Sequence, residues 1–389
     1  MTGEGVDLSL TADELVFQLD ARQWLESHVP SEPLRHFDTE IGFEQHREWE
    51  RTLFDGGWGV VGWPAEYGGR GGTPIESLLF EEEYARAGAP VRVNQNGLAM
   101  LGPTLIAFGT DRQKSRHLLR LARGDDIWAQ AWSEPNAGSD LASMRSRATR
   151  DGDEYVLDGQ KIWVSRGAYA DWMFTIARTD PATSNHRGLT FFLVPMGSDG
   201  LSRGPIEQID GRAGFAEVFM DGVRVPADNV VGTEGEGWKV AMATLAFERS
   251  AFLRPPGRFT QVTARLLRLA REQTHAPALG AELAEAWALT EAYRLLNLWS
   301  VSNAEDGDLS VVHANVNKLV WSEMDIRLHD LAVQLLGERA ELSVGAPDAV
   351  DGGRWMQDYL FSLAGTIYAG TSEIQRNLIA ERGLGLPRR

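Results

Sequence analysis

The sequence predicts an α+β protein of three lobes: helices over residues 1–125, a mainly antiparallel sheet over 126–236, and a helical bundle over 237–389. Three observations predict it. Capping signals open helix after helix in the first third, short β-rich runs crowd the middle, and a sustained helical period returns after Gly237 and stays. In the first lobe Thr11 and Glu14 form a capping box ahead of an apolar-periodic run to Trp24. Thr73, Pro74 and Glu76 repeat it with proline at the first helical position, and Thr110 with Gln113 opens a third helix. Residues 56–72, GGWGVVGWPAEYGGRGG, are too rich in glycine for a regular element and predict a long loop. From Ile127 the runs IWAQAWS, DEYVLDG, QKIWVS, DWMFTIART, GLTFFLVP and AEVFMDGVRVP read as strands separated by Gly, Asp, Asn and Pro. Residues 238–271, 279–304, 311–336 and 374–382 then predict amphipathic helices packed antiparallel.

Composition removes several function classes. Fifty-five acidic against 38 basic residues give a net charge of −17, which argues against a phosphate backbone as partner. With no cysteine, disulfides, thiolate metal sites and a thiol nucleophile are excluded. The eight histidines show no short ligand spacing, so no metal centre is expected. No apolar run approaches the roughly 20 residues of a membrane span, and the first ten residues lack a basic start and apolar stretch, so neither membrane nor export is expected and the cytoplasm is the default. Gly57, Gly59 and Gly62 satisfy G-x-G-x-x-G, but they neither follow a strand nor open a helix, and Pro64 follows at once; the match is read as coincidence. Glu81, Glu82 and Glu83 are read as a solvated helix face.

Three stretches carry chemistry. In residues 130–140, QAWSEPNAGSD, a strand runs into a loop of small residues whose N–H groups can approach a flat or charged ligand. In Lys161-Ile-Trp163-Val-Ser165 the alternation of a strand puts an indole and a hydroxyl on one face, suited to stacking on a fused ring and bonding a ring nitrogen, or equally to a β core. In residues 367–376, IYAGTSEIQR, a glycine turn leads into a helix whose first N–H groups have no internal partner.

In this order and spacing, and with Val225-Pro-Ala-Asp-Asn229, these motifs resemble the acyl-CoA dehydrogenase family over nearly the whole chain. The resemblance implies an N-terminal α-helical lobe, a middle β-barrel, a C-terminal four-helix bundle, FAD bound across subunit interfaces, and a homodimer or homotetramer. Carried over by position, Gln130, Trp132 and Ser133 line the flavin through main chain and hydroxyl, and Ser139 sits near flavin and thioester. Trp163, with Val164 beside it, stacks at the isoalloxazine and Ser165 bonds near N5. Thr371, Ser372 and Glu373 meet the ribityl-pyrophosphate part, and Gln334 and Gly337 begin the stretch that holds a second subunit's FAD.

Many members carry their base as a glutamate just before the G-T pair, where this chain has Ala369. Isovaleryl- and long-chain members carry it on another helix, in a segment similar to Leu245-Ala-Phe-Glu248-Arg249. Glu248 is therefore the expected base, the Ala369 N–H the expected donor to the thioester carbonyl, and Arg249 a substrate or loop anchor. Arg166 stands where asparagine is common, the R-x-x-F-G element is absent near Arg271, and residues 336–340, LGERA, replace a double-glycine turn. The resemblance thus implies dehydrogenation of an acyl thioester, on coenzyme A or a carrier protein, with an electron-transfer flavoprotein as acceptor. It is similar above all to bacterial members handling branched, cyclic or steroid-side-chain thioesters. Two other readings stay open: a flavin- or base-deficient subunit of a heteromer, and a flavin oxidase or monooxygenase on the same scaffold.

Overall fold

The computed structural model describes residues 9–248, 254–273, 276–302 and 307–387. The first lobe holds α1 (Ala12–His28), α2 (Glu40–Asp55), α3 (Pro74–Arg86), α4 (Gly102–Phe108) and α5 (Asp111–Arg123). Thr11, Thr73 and Thr110 each close a capping box on α1, α3 and α5, as the sequence predicts. The glycine-rich connection at 56–72 has only one short 3₁₀ turn, Ala65–Tyr67, yet it is anchored, because Trp58 and Trp63 are buried. Ahead of α4 the chain makes a π-helical turn, Gly97–Leu101.

The middle lobe is one sheet of eight strands: β1 (Trp128–Ala131), β2 (Arg147–Asp151), β3 (Glu154–Ser165), β4 (Trp172–Arg178), β5 (Leu189–Pro195), β6 (Leu201–Ile206), β7 (Phe215–Pro226) and β8 (Val230–Val231). The order is β6-β7-β3-β2-β4-β5-β8, with β1 paired parallel to β4. This sheet does not close, which corrects the expected barrel. Its two edges, β6 and β8, do not pair; β8 has two residues and β6 carries Pro205, which offers no N–H to a further strand. Two runs expected as separate strands, DEYVLDG and QKIWVS, form the single strand β3, kinked by irregular register between Leu157 and Gly159 and between Lys161 and Val164. The strands β2 and β6 escape an apolar pattern because their sequences, RATRD and LSRGPI, are mostly polar.

The sheet buries both faces. Phe174, Ile176, Phe191 and Leu193, with Trp128 of β1, join a core with Trp63, Leu101, Leu105 and Leu118 of the first lobe, while Met173, Phe192 and Val194 face Tyr155, Leu157, Val218 and Val223. After the sheet, one helix was expected over 238–271; there are two, α6 (Gly237–Glu248) and α7 (Pro256–Glu272), since Pro255 and Pro256 cannot continue a helix. Val240 and Ala241 of α6 belong to the core of the first lobe and sheet. The third lobe has its own core, Phe259, Leu266, Tyr293, Trp321, Leu328, Leu331 and Trp355. It is built by α7, α8 (Gly280–Ser302) and α9 (Gly307–Leu336), with the short helices α10 (Arg354–Ser362) and α11 (Ser372–Leu378) against α9. The fourth place in the expected four-helix bundle is thus shared by two short helices. Among the described residues no helix is long and apolar enough to cross a membrane.

Candidate active site

The 130–140 stretch and the Lys161–Ser165 stretch form one unit. Alternation along β3 places Tyr155, Leu157 and Lys161 on the buried side, and the lysine is fully buried. A buried ammonium requires a carboxylate. Lys161 Nζ donates to Glu134 Oε1 at 2.9 Å and to the Trp132 carbonyl at 3.2 Å. Glu134 also accepts from the N–H groups of Arg145 (2.6 Å) and Ser146 (2.9 Å), and the Ile162 N–H donates to the Ser133 carbonyl at 2.9 Å. Burial pushes the Glu134 carboxyl up, but the Lys161 charge and these N–H donors outweigh it and hold it below the usual range. Neither member of this pair had been assigned a role from sequence; the signal was a lysine at an inward position of a strand. Trp132 is core, edge-on to Phe174 and Phe191, whereas Gln130 and Ser133 are half-buried. Ser139 is exposed.

Trp163 and Ser165 lie on the less buried side of β3 with Val164 turned inward between them, after a register break that ends the alternation running from Tyr155 to Lys161. Trp163 has φ +59°, a left-handed backbone that costs a tryptophan roughly 1–3 kcal/mol, so simple alternation fails there. Val164 takes the buried place, and the indole is 53% exposed, touching Phe215 edge-on at 6.2 Å. Strain that turns a large apolar ring toward solvent implies a use for the ring. Ser165 is half-buried at the end of β3. Arg166, also left-handed at φ +60°, follows at once.

At the other motif Ala369 (φ +55°) and Gly370 (φ +87°) make a double left-handed turn, and Gln375 Nε2 donates back to the Ala369 carbonyl at 3.0 Å. Thr371 caps α11 through the Ile374 N–H. The Ser372 hydroxyl is buried with no partner, and Glu373 is exposed, its carboxyl held below the usual range chiefly by a main-chain N–H at the helix start. Arg254 joins this turn to α7, donating to the Tyr368 hydroxyl at 3.2 Å. Gln334 and Gly337 are not brought to it. Lys318 of α9 is close enough to act on the Glu373 charge, whereas Gln334 lies 16 residues on, about 24 Å along the helix. Gln334 donates to Asp330 Oδ2 (2.7 Å), and Gly337 (φ +55°) ends α9.

Glu248 is the last residue of α6; its side chain, and all of Arg249, lie outside the described residues. Helix α6 packs on β5, α4 and the π turn, with the buried Thr244 and Thr104 hydroxyls 2.8 Å apart. The solvated face expected for Glu81, Glu82 and Glu83 is also overturned, because α3 is covered by α1, α7 and α8. Glu83 is 2% exposed and takes bonds from Arg22 (2.8 and 2.9 Å), Arg86 (2.6 Å) and Gln18 (3.0 Å). Burial pushes Glu81 up to about 7, against the pull of Arg92.

The chain matches the acyl-CoA dehydrogenase N-terminal domain over residues 11–125, the middle domain over 129–223 and the C-terminal domain over 235–384. It is 41% identical over 387 residues to acyl-CoA dehydrogenase IpdE1 of Mycobacterium tuberculosis, covering 96% of this chain and 97% of that one. To acyl-CoA dehydrogenase FadE26 of the same organism it is 37% identical over 88% of each chain. Among solved structures, the Tcur3481-Tcur3483 steroid ACAD superposes with a TM-score of 0.87 at 33% identity, over 99% of this chain and 100% of that chain. The ChsE4-ChsE5 complex from Mycobacterium tuberculosis gives 0.86 at 32%, again over 99% and 100%. The chain belongs to the acyl-CoA dehydrogenase family of flavoprotein oxidoreductases, which act on the CH–CH bond of an acyl-CoA.

Proposed function

We propose that the protein catalyses FAD-dependent α,β-dehydrogenation of an acyl-CoA with a branched, cyclic or steroid-derived acyl group, giving the trans-2-enoyl thioester. The observation that carries this reading is the strained, exposed Trp163 at the end of β3, locked through Lys161 and Glu134 to the 130–134 loop. An indole presented in this way suits a flavin ring, and the unpartnered Ser372 hydroxyl suits its polar tail. Trp163, with Val164 beside it, would hold the ring, Ser165 would donate near N5, and Gln130, Trp132 and Ser133 would line the flavin through main chain and hydroxyl. Thr371, Ser372 and Glu373 hold the ribityl-pyrophosphate part, and Gln334 and Gly337 reach the FAD of a second subunit.

Bound flavin supplies a hydride acceptor for the β-carbon. Glu248 takes the α-proton on its carboxylate, and the Ala369 N–H donates to the thioester carbonyl where negative charge develops. Ser139 and Arg249 position the thioester. The lobes are assigned as 1–125, 126–236 and 237–389, and an electron-transfer flavoprotein is the electron acceptor. The steroid-type assignment leans on the relatives named above, two of which are described as two-component assemblies. A heteromeric assembly is accordingly preferred to a homodimer or homotetramer, and the altered 336–340 turn fits a changed interface.

The test is anaerobic mixing of the FAD-loaded protein with straight, branched and cyclic acyl-CoAs, alone and with a co-expressed partner subunit. Loss of the oxidised-flavin absorption with one class of thioester supports the reading and names that class. A yellow protein that no thioester bleaches refutes it.

A further inference from the structure

We infer that Arg166 anchors a carboxylate carried by the acyl part of the substrate, an inference that rests on the thioester reading above. Four other deeply placed cations have a carboxylate: Arg47 has Asp171 at 2.8 Å, Arg92 has Glu50 at 2.7 Å, Lys161 has Glu134 at 2.9 Å and Arg258 has Asp325 at 3.1 Å. Arg166 has none within ion-pairing distance among the described residues. Its Nη2 donates to the Arg92 carbonyl at 3.3 Å, its guanidinium lies over the Phe37 ring at 5.0 Å, and its Nε is buried without a partner. Glu50, the acid that acts on it, has both oxygens committed, one to Arg92 Nε and one to the Asn94 N–H at 3.1 Å.

The surroundings sharpen the imbalance. Burial, and then the neighbouring charge of Arg254, pull the Arg166 guanidinium down to about 10, against the pull of Glu50. The residue is still partly reached by solvent, one position beyond Ser165 and three beyond the exposed Trp163. Its neighbour Arg254 bonds Tyr368, the residue before Ala369. The two arginines are near enough for their charges to interact, one at the motif that ends β3 and the other bonded to the motif that opens α11. A planar guanidinium held by a ring and one carbonyl, with Nε–H unused, matches a carboxylate in shape and charge. The proposed function gives the cofactor's pyrophosphate to Thr371, Ser372 and Glu373, so the anion is assigned to the acyl group.

The experiment measures dissociation constants by calorimetry on FAD-loaded protein. It uses a series of straight-chain acyl-CoAs, each paired with the dicarboxylic mono-CoA thioester of the same length, on wild type, Arg166→Asn and Arg166→Lys. The wild type is expected to prefer the dicarboxylic member about tenfold or more at the matching length, as one charge-assisted pair gives. Asparagine should bring the pair within about twofold, and lysine should restore part of the preference. Equal binding of each pair by the wild type overturns the inference. So does loss of FAD from Arg166→Asn, which assigns the guanidinium to the cofactor. Unchanged binding with slowed flavin reduction in that variant also overturns it, because the charge then serves the developing enolate oxygen. Failure of the FAD-loaded wild type to bind any thioester refutes the proposed function itself, and the inference with it.

Discussion

Replacing Lys161 by methionine removes the charge and both Nζ bonds while leaving an unbranched chain of similar length in the same space. Breaking one half of a buried ion pair costs about 3–5 kcal/mol. The Glu134 carboxylate keeps the Arg145 and Ser146 N–H donors, which places Lys161→Met at the lower end, about 3 kcal/mol. Glu134→Gln keeps the shape but loses charge, and Lys161→Met with Glu134→Gln removes both charges together. The double variant should therefore recover about 1–2 kcal/mol relative to the sum of the singles. Urea unfolding of the FAD-free protein, followed by tryptophan fluorescence, reads all three. FAD affinity should fall in Lys161→Met, because the pair ties Ser133 to the strand bearing Trp163. The pH dependence carries the sign. Since Glu134 titrates below its ordinary 4.5 in the folded protein, its contribution is complete above that value and drains away as pH falls through the folded one. Strictly additive single variants, or a Lys161→Met cost below about 0.5 kcal/mol, refute the reasoning.

Four other outcomes are expected. Glu248→Gln should retain FAD and lose at least about two orders of magnitude in flavin reduction, measured by anaerobic stopped flow; undiminished reduction moves the base elsewhere. Trp163→Gly should relieve the left-handed strain, stabilising the FAD-free protein by about 1 kcal/mol while weakening FAD binding, and calorimetry beside thermal melting separates the two effects. His117 is 1% exposed between Trp128 and Trp172, and burial pushes it down to about 4 from 6.5. Its neutral form therefore stabilises the fold at neutral pH, and this is lost as pH falls from 6.5 toward 4, a loss that His117→Phe should abolish in melting curves taken across that range. Gly237→Ala sets a Cβ 2.5 Å from the Thr190 carbonyl carbon and should cost at least about 2 kcal/mol in urea unfolding.

Much of the fold was legible because capping and periodicity are local. Thr11, Thr73 and Thr110 close their boxes with residues three positions on, and β5, a short run apolar but for Thr190, reads as a strand buried on both faces. Closure of the sheet was not legible, since it depends on how the polar strands β2 and β6 pair. The site divides in the same way. Motif spacing located Trp163 and Thr371, but the left-handed backbone at Trp163 arises from register against β7, set by residues more than fifty positions away. The glutamates of α3 were misread for a related reason: a charge run looks solvated until Arg22, 61 positions earlier in the chain, is seen to reach Glu83. The Lys161–Glu134 pair was not read from the sequence, because the two meet only when the 130–140 loop is folded back onto β3.

The rooting of α6 has a mechanical consequence. Its apolar residues are set in the core that the first lobe shares with the sheet, while Ala369 and Thr371 travel with the bundle, whose core is separate. A rigid rotation of the bundle would carry the proposed thioester-carbonyl donor and the start of α11 away from the sheet. It would leave the backbone of the proposed base in register with Trp163 and Ser165. The proposed proton abstraction and the proposed carbonyl polarisation would thus be mounted on different bodies, and only the docked arrangement of the two bodies would bring both to one thioester.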